Sequence, residues 1–240
     1  LKISRSIFSF IFKNIGPFFR SKRILNYNLS LALPNIDNSK RDEIINNMWA
    51  NYGKIFSEYM FIKKFRENSK FSKKITVENQ KELEKIKSQK KPVIFISGHF
   101  ANFELMSMEI TKKNISLATI YRPLNNFFLN PFMEYLRKKY ICKNQIKKGI
   151  KGVREALTFF KKGKSLAIMI DQRVSEGILS NFFNHEALTT TIPAQLIKKF
   201  NIPIVPVYIE REENINFRIC ITKPIYFDKD ATTNKITDEL

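Results

Sequence analysis

Apolar residues recur along the chain in two rhythms. Between residues 39 and 63, Ile44, Ile45, Met48, Trp49, Tyr52, Ile55, Phe56 and Tyr59 return at helical spacing, and Ser39 ahead of Asp42 suggests a capping box at the start. Around Gly98 the rhythm changes to short apolar runs separated by periodic segments. Runs at 93–97, 115–121, 166–170, 204–210 and 217–225 predict strands. Segments at 102–112, 127–139, 150–161 and 191–200 predict helices, the third with Ile150, Val153, Leu157 and Phe160 on one apolar face. Alternation of this kind predicts an α/β fold, a mostly parallel sheet flanked by helices.

The opening segment has a different pattern. Ile7, Phe8, Phe10, Ile11, Phe12, Ile15, Phe18 and Phe19 are interleaved with Arg5, Lys13 and Arg20. A spanning helix needs about 20 mostly apolar residues, and Lys13 and Gly16-Pro17 interrupt this one. The pattern suits a helix lying in the bilayer interface with its basic residues among the headgroups; the alternative is a helix packed on the chain's own core. No internal repeat, low-complexity linker or clean boundary divides the rest of the chain. The expected organisation is therefore residues 1–90 as an N-terminal helical, membrane-associating region packed on an α/β core of residues 91–240. The start at Leu1 and the stop at "ITDEL" in mid-pattern suggest a chain truncated at both ends.

Composition narrows the class. A 43% hydrophobic and 13% aromatic chain of 240 residues is globular and long enough for a real core. Its net charge of +20 favours polyanionic partners: nucleic acid, anionic lipid or an acidic carrier protein. Part of that excess also follows from a general richness in Lys, Asn, Ile and Phe. No zinc-finger spacing, RNP-like strand or basic-region helix supports nucleic acid. Cys142 and Cys220 have no CxxC spacing and no His partner, which argues against a metal or disulfide framework and for a reducing compartment.

Chemistry concentrates in "VIFISGHFANFELM", residues 93–106. Residues five apart on one helix sit roughly 140° from each other and could not cooperate. If the strand ends at Ser97, Gly98 turns sharply and Asn102 caps a helix from Phe103, then His99 lies in the turn and Glu104 in the first helical turn. The carboxylate could then orient the imidazole as a base at the carboxyl edge of the sheet. No nucleophile elbow is present, so the hydroxyl to be deprotonated would belong to a substrate and the reaction would be direct acyl transfer. Asp171, at the end of the strand 166–170, is a second carboxylate candidate for that imidazole, and spacing does not rank it against Glu104. Arg122, held extended by Pro123, could bind a phosphate or a developing oxyanion, or be a salt-bridged rim residue. Gln172 and Arg173 would add polar contacts at the same edge, and His185 has no partner spacing.

Several blocks in order resemble the bacterial lipid A lauroyl/myristoyl acyltransferase family, whose signature is His-x4-Asp/Glu. They are "RSKRILNYNLSLALPN", "GHFANFELM", "YRPLNN", "LAIMIDQR" and "FFNHEALTTTIPAQLIKKFNIPIVPVYI". The resemblance covers nearly the whole chain. It departs at Phe182-Phe183-Asn184, where the family usually has Gly after the paired Phe, and in lacking a Trp-rich tail. It implies His99 and Glu104 as catalytic residues and Arg122, Asn126, Asp171 and Gln172 as substrate-binding residues. It further implies an acyl carrier protein thioester as donor and an anionic membrane glycolipid, a lipid A precursor, as acceptor. No metal or organic cofactor and no nucleic acid partner is implied. The expected location is the cytoplasmic face of the bacterial inner membrane, peripheral or anchored by an N-terminal segment. Rival readings are the same chemistry on a glycerolipid or phosphoinositide mannoside, and a non-enzymatic basic module for membranes or nucleic acid.

Overall fold

Val93 and Phe95 point to one side of a strand and Ile94 and Ile96 to the other, and all four are buried. A strand apolar on both faces needs cover on both faces, the condition of a parallel sheet between helical layers. The computed structural model describes residues 1–124 and 126–240. Asn125, within the "YRPLNN" block, and the side chains of Ile150 and Asn214 lie outside the described residues, so Ile150's expected place on an apolar face does too.

Along the chain run α1 (Lys2–Ile15), a 3-10 turn, α2 (Lys22–Ala32), α3 (Asn38–Tyr59), α4 (Ile62–Glu67), α5 (Ser69–Ser72), β1 (Ile75–Glu78) and α6 (Gln80–Gln89). Then come β2 (Ile94–Ser97), α7 (Glu104–Lys112), β3 (Leu117–Tyr121), α8 (Leu129–Leu136), a π turn (Arg137–Ile141), β4 (Asn144–Lys147), α9 (Ile150–Lys161) and β5 (Ser165–Met169). A hairpin of β6 (Ile178–Phe182) and β7 (His185–Thr189) precedes α10 (Ile192–Phe200), β8 (Ile204–Arg211), β9 (Phe217–Ile221) and α11 (Thr233–Asp238).

Seven strands form one sheet in the order β1-β9-β8-β2-β5-β3-β4. Every neighbouring pair is parallel except β8–β9. That pair is antiparallel because only residues 212–216 separate its strands, too few for a crossover. Val93, Phe95, Val205 and Val207 pack under α4, α6 and α7; Ile94, Ile96, Leu166 and Ile204 pack under α9, α10 and α11. Each such side chain contributes roughly 1.5–3 kcal/mol on burial. The fold is thus α/β, a mostly parallel sheet flanked by helices, with further helices at the N-terminus.

The sheet also recruits β1 from ahead of residue 91, pairing Ile75 with Phe217. The long helix begins one residue earlier than its apolar pattern suggested. Its cap is Asp37, which accepts the Lys40 N–H at 2.7 Å, and Ser39 lies inside the helix. The strand expected over 217–225 stops at Ile221, ahead of Pro224.

Helix α1 packs one face on α3 and exposes the other. Ile3, Ile7 and Phe10, three and four residues apart, are exposed, whereas Arg5 is buried. Arg5 therefore does not lie among headgroups: its Nε is 3.2 Å from Glu58. Among the described residues no helix is long and apolar enough to cross a membrane.

Candidate active site

Strands β2 and β5 are parallel neighbours in which Ser97 faces Met169. Two residues on along each strand direction, His99 and Asp171 therefore emerge side by side at the carboxyl edge of the sheet, where open α/β folds bind ligands. The pairing continues to the edge through the Ile170 N–H, which donates to Ser97 O at 3.0 Å. His99 Nδ1 is 2.7 Å from Asp171 Oδ1, and the His99 backbone N–H donates to Asp171 Oδ2 at 2.7 Å. Glycine at position 98 leaves room for this approach: a Cβ there would sit 3.1 Å from Asp171 Oδ2 and 2.9 Å from the exposed Phe100 ring. The Phe103 ring stands edge-on to the imidazole at 4.7 Å.

This geometry sets the proton inventory of the pair. Burial works to raise the Asp171 carboxyl, but hydrogen bonds from the His99 ring and backbone outweigh it and hold the group below its ordinary value. An ionised Asp171 only accepts, so in the neutral imidazole the proton sits on Nδ1 and Nε2 is the unprotonated nitrogen.

Glu104 is committed elsewhere. It occupies the first turn of α7 and is buried, so it needs a counter-charge. Arg137, the first residue of the π turn, supplies one: its Nε donates to Glu104 Oε1 at 2.7 Å, and the Tyr59 hydroxyl donates to the same oxygen. Burial opposes the charge on Arg137, yet Glu104 and Tyr59 together more than offset this and raise the guanidinium above its ordinary value. Burial and the Glu104 charge together push the Tyr59 phenol well up. The carboxylate on the imidazole is thus Asp171, set by strand register, and not Glu104.

Asn102 does not act as the expected cap either. Helix α7 starts at Glu104 after Phe103, without a side-chain cap. The Asn102 carboxamide turns inward instead, donating to Glu58 Oε2 at 3.0 Å.

Two cavities meet at the pair, sharing Ser97, Gln172 and Arg173. The first, of about 550 Å³, holds His99 and Glu104 with the cations Arg122, Arg137, Lys148 and Arg173, over an apolar lining that includes Phe95, Met106, Ile110 and Ile168. The second, of about 590 Å³, takes in Asp171 and is apolar along Phe100, Leu188, Pro206 and Tyr208. Arg122 and Gln172 thus line cavities as their positions suggested. Asn126 lines neither: its Oδ1 accepts the Phe128 and Leu129 N–H groups at 3.0 and 2.8 Å, just ahead of α8. The turn at Phe183 and Asn184 is made by two left-handed residues, φ 52° and 60°, the geometry of a two-residue hairpin without glycine. His185 follows it, exposed, and lines neither cavity, although its pairing partner Phe182 lines the second.

Sequence reasoning missed Arg137 and Tyr59. The available signal was the acid Glu104 leading the mainly apolar segment of Leu105, Met106, Met108 and Ile110, where a buried carboxylate requires a cation from elsewhere. Among the described residues no group of three or more His, Cys, Asp or Glu is placed to hold a metal ion.

The chain is similar in structure to the crystal structure of the 1-acyl-sn-glycerophosphate acyltransferase PlsC from Thermotoga maritima. The two share 14% identity at a TM-score of 0.44, over 99% of this chain and 93% of that one. No curated protein sequence matches the chain. The family described as bacterial lipid A biosynthesis acyltransferase matches residues 1–240, and the chain belongs to that family, acyltransferases that join an acyl donor to a lipid acceptor.

Proposed function

We propose that the enzyme moves a fatty acyl chain from an acyl carrier protein thioester to a hydroxyl of a lipid A precursor, with His99 as general base. The single observation that carries this reading is the His99–Asp171 pair, with Nε2 beside a cavity that carries four cations among apolar residues and next to a second, mainly apolar cavity. His99 Nε2 takes the proton of the acceptor hydroxyl as its oxygen attacks the thioester carbonyl carbon. Asp171 stabilises the imidazolium that forms. Collapse of the tetrahedral adduct breaks the C–S bond, and the imidazolium returns its proton to the departing sulfur. The products are an ester and a free thiol.

In this reading the apolar cavity receives the acyl chain. Arg122, Lys148 and Arg173 attract the phosphate of an anionic glycolipid or the oxyanion. Glu104 acts through Arg137, whose guanidinium it fixes at the wall of the basic cavity. Within residues 1–90, α1 and the turn after it form the membrane-associating part, while α4, β1 and α6 belong to the same core as residues 91–240. The exposed apolar face of α1 and the +20 charge support a peripheral seat on the anionic cytoplasmic face of the inner membrane.

The test is expression in a host lacking its own late lipid A acyltransferases, with mass spectrometry of the lipids. Wild type should add one acyl chain to lipid A. His99→Ala should lose about 10²–10⁴-fold in rate at unchanged circular dichroism. A folded His99→Ala enzyme with near-normal activity would remove the general-base reading. Acylation confined to glycerolipids would replace the acceptor.

A further inference from the structure

The end of α3 grips the catalytic turn at two consecutive positions. Tyr59 reaches Glu104 on one side of the turn, and Glu58 reaches Asn102 on the other. The Glu58 and Asn102 side chains lie in the interior, both residues being 0% exposed. Between Asn102 and His99 sits Ala101 at φ +39°, a conformation that alanine holds only when its surroundings impose it. The Asn102–Glu58 hydrogen bond is such an imposition, three residues from the imidazole.

Glu58 has two further partners. Arg211, at the end of β8, donates to Glu58 Oε2 at 3.0 Å and Oε1 at 3.2 Å, and Arg5 of α1 lies 3.2 Å from Oε1. Helix α1 is seated on the same stretch of α3. Ser4 and Ser57 hydroxyls are 2.8 Å apart, and Ser9 donates to Ala50 O at 3.2 Å. A Cβ on Gly53 would meet Phe8 O at 2.3 Å, so the two backbones are in direct contact.

We propose that Glu58 is a positioning residue that transmits the seating of α1, through Arg5 and Asn102, to the geometry of the His99 turn. With α1 seated, Arg5 and Arg211 together fix both carboxylate oxygens, and Oε2 is presented to Asn102. When Arg5 is lost, Arg211 still engages both oxygens but Oε1 keeps only one of its two cations, so the carboxylate is drawn toward Arg211, its placement against Asn102 shifts, and the Ala101 backbone relaxes. The proposal rests on His99 being the base of the reaction.

The chain has two histidines, His99 and His185, so the imidazole NMR spectrum contains one reporter and one internal control. Arg5→Met leaves Glu58 paired with Arg211. It should shift the His99 signals in the same direction as Asn102→Ala does, with the His185 signals unmoved. In kinetics it should lower kcat by about 10- to 100-fold with KM near wild type. Arg5→Lys, which keeps the charge, should recover part of both effects. The Arg5→Met/Asn102→Ala double variant should be no slower than Asn102→Ala alone, because both act along one chain of contacts. Unmoved His99 signals in folded Arg5→Met enzyme, unmoved His99 signals in Asn102→Ala, or losses that multiply in the double variant overturn the proposal. Full activity of His99→Ala would remove the base reading instead, and the NMR shifts would still report on the turn.

Discussion

Asp171 uses its two oxygens differently, and this makes its amide analogue informative. Oδ2 accepts the His99 backbone N–H and Oδ1 faces Nδ1. In Asp171→Asn the carboxamide oxygen must face the backbone donor, so the NH₂ group points at Nδ1. The imidazole then protonates on Nε2, and the base is lost with the geometry kept. Transfer should fall by about 10²–10⁴-fold while the fold is retained, measured as kcat beside thermal unfolding. The same variant carries a pH signature. The folded pKa of Asp171 lies below its unfolded value, so its stabilisation is present above about pH 4 and is lost as pH falls through the folded value. Wild type should lose that increment on acidification and Asp171→Asn should not; parallel acid-unfolding curves would contradict the pairing. The same residues show how far the site was legible. A His in a turn and an Asp at a strand end can be read from local sequence. Which carboxylate meets the imidazole depends on the β2–β5 register, a contact 72 residues apart that no local pattern encodes.

At the scale of elements, legibility tracks burial. The runs of β2, β3, β5, β8 and β9 stood out because most of their residues are apolar and face covered layers. Strand β4, "NQIK", buries only Ile146, and β1, "ITVE", buries only Ile75; both are strands because a neighbour pairs with them. The β6–β7 hairpin escaped for a related reason: it stands outside the sheet and leaves Leu179 and Phe182 exposed. Joints between elements are less visible still. The Glu104–Arg137 pair fastens α7 to the π turn after α8, with side chains 8% and 12% exposed. Removing one member leaves a buried uncompensated charge, so Glu104→Ala should cost about 3–5 kcal/mol in chemical denaturation. Replacing both, as Glu104→Leu/Arg137→Met, should restore most of that stability. If the pair only fastens elements, the double variant will also regain activity. The reading in which Arg137 acts from the cavity wall requires a stable but slow enzyme.

At the scale of the whole molecule, packing on the protein's own core accounts for one face of the N-terminal helix, and the bilayer reading is a proposal for the other. Arg5, Phe8 and Ser9 serve the protein interior, while Ile3, Ile7 and Phe10 are left to the outside, with Phe18 and Phe19 exposed just beyond. A +20 protein is drawn to an anionic bilayer by charge, an attraction worth about 1 kcal/mol per basic residue near the surface and screened within a Debye length. Apolar insertion is not screened, so salt separates the two contributions. Wild type should sediment with anionic vesicles at low salt and retain part of that binding at about 0.5 M, a concentration chosen because the Debye length there falls below about 8 Å. Phe18→Ser/Phe19→Ser should bind at low salt through charge alone and be released at high salt. Each phenyl group is worth roughly 1.5–3 kcal/mol when fully buried, so partial insertion of two predicts a loss of about 10- to 100-fold in partitioning. Equal retention of the variant and wild type at high salt would place the contact elsewhere on the surface, with the exposed Phe127 and Phe128 the next pair to replace.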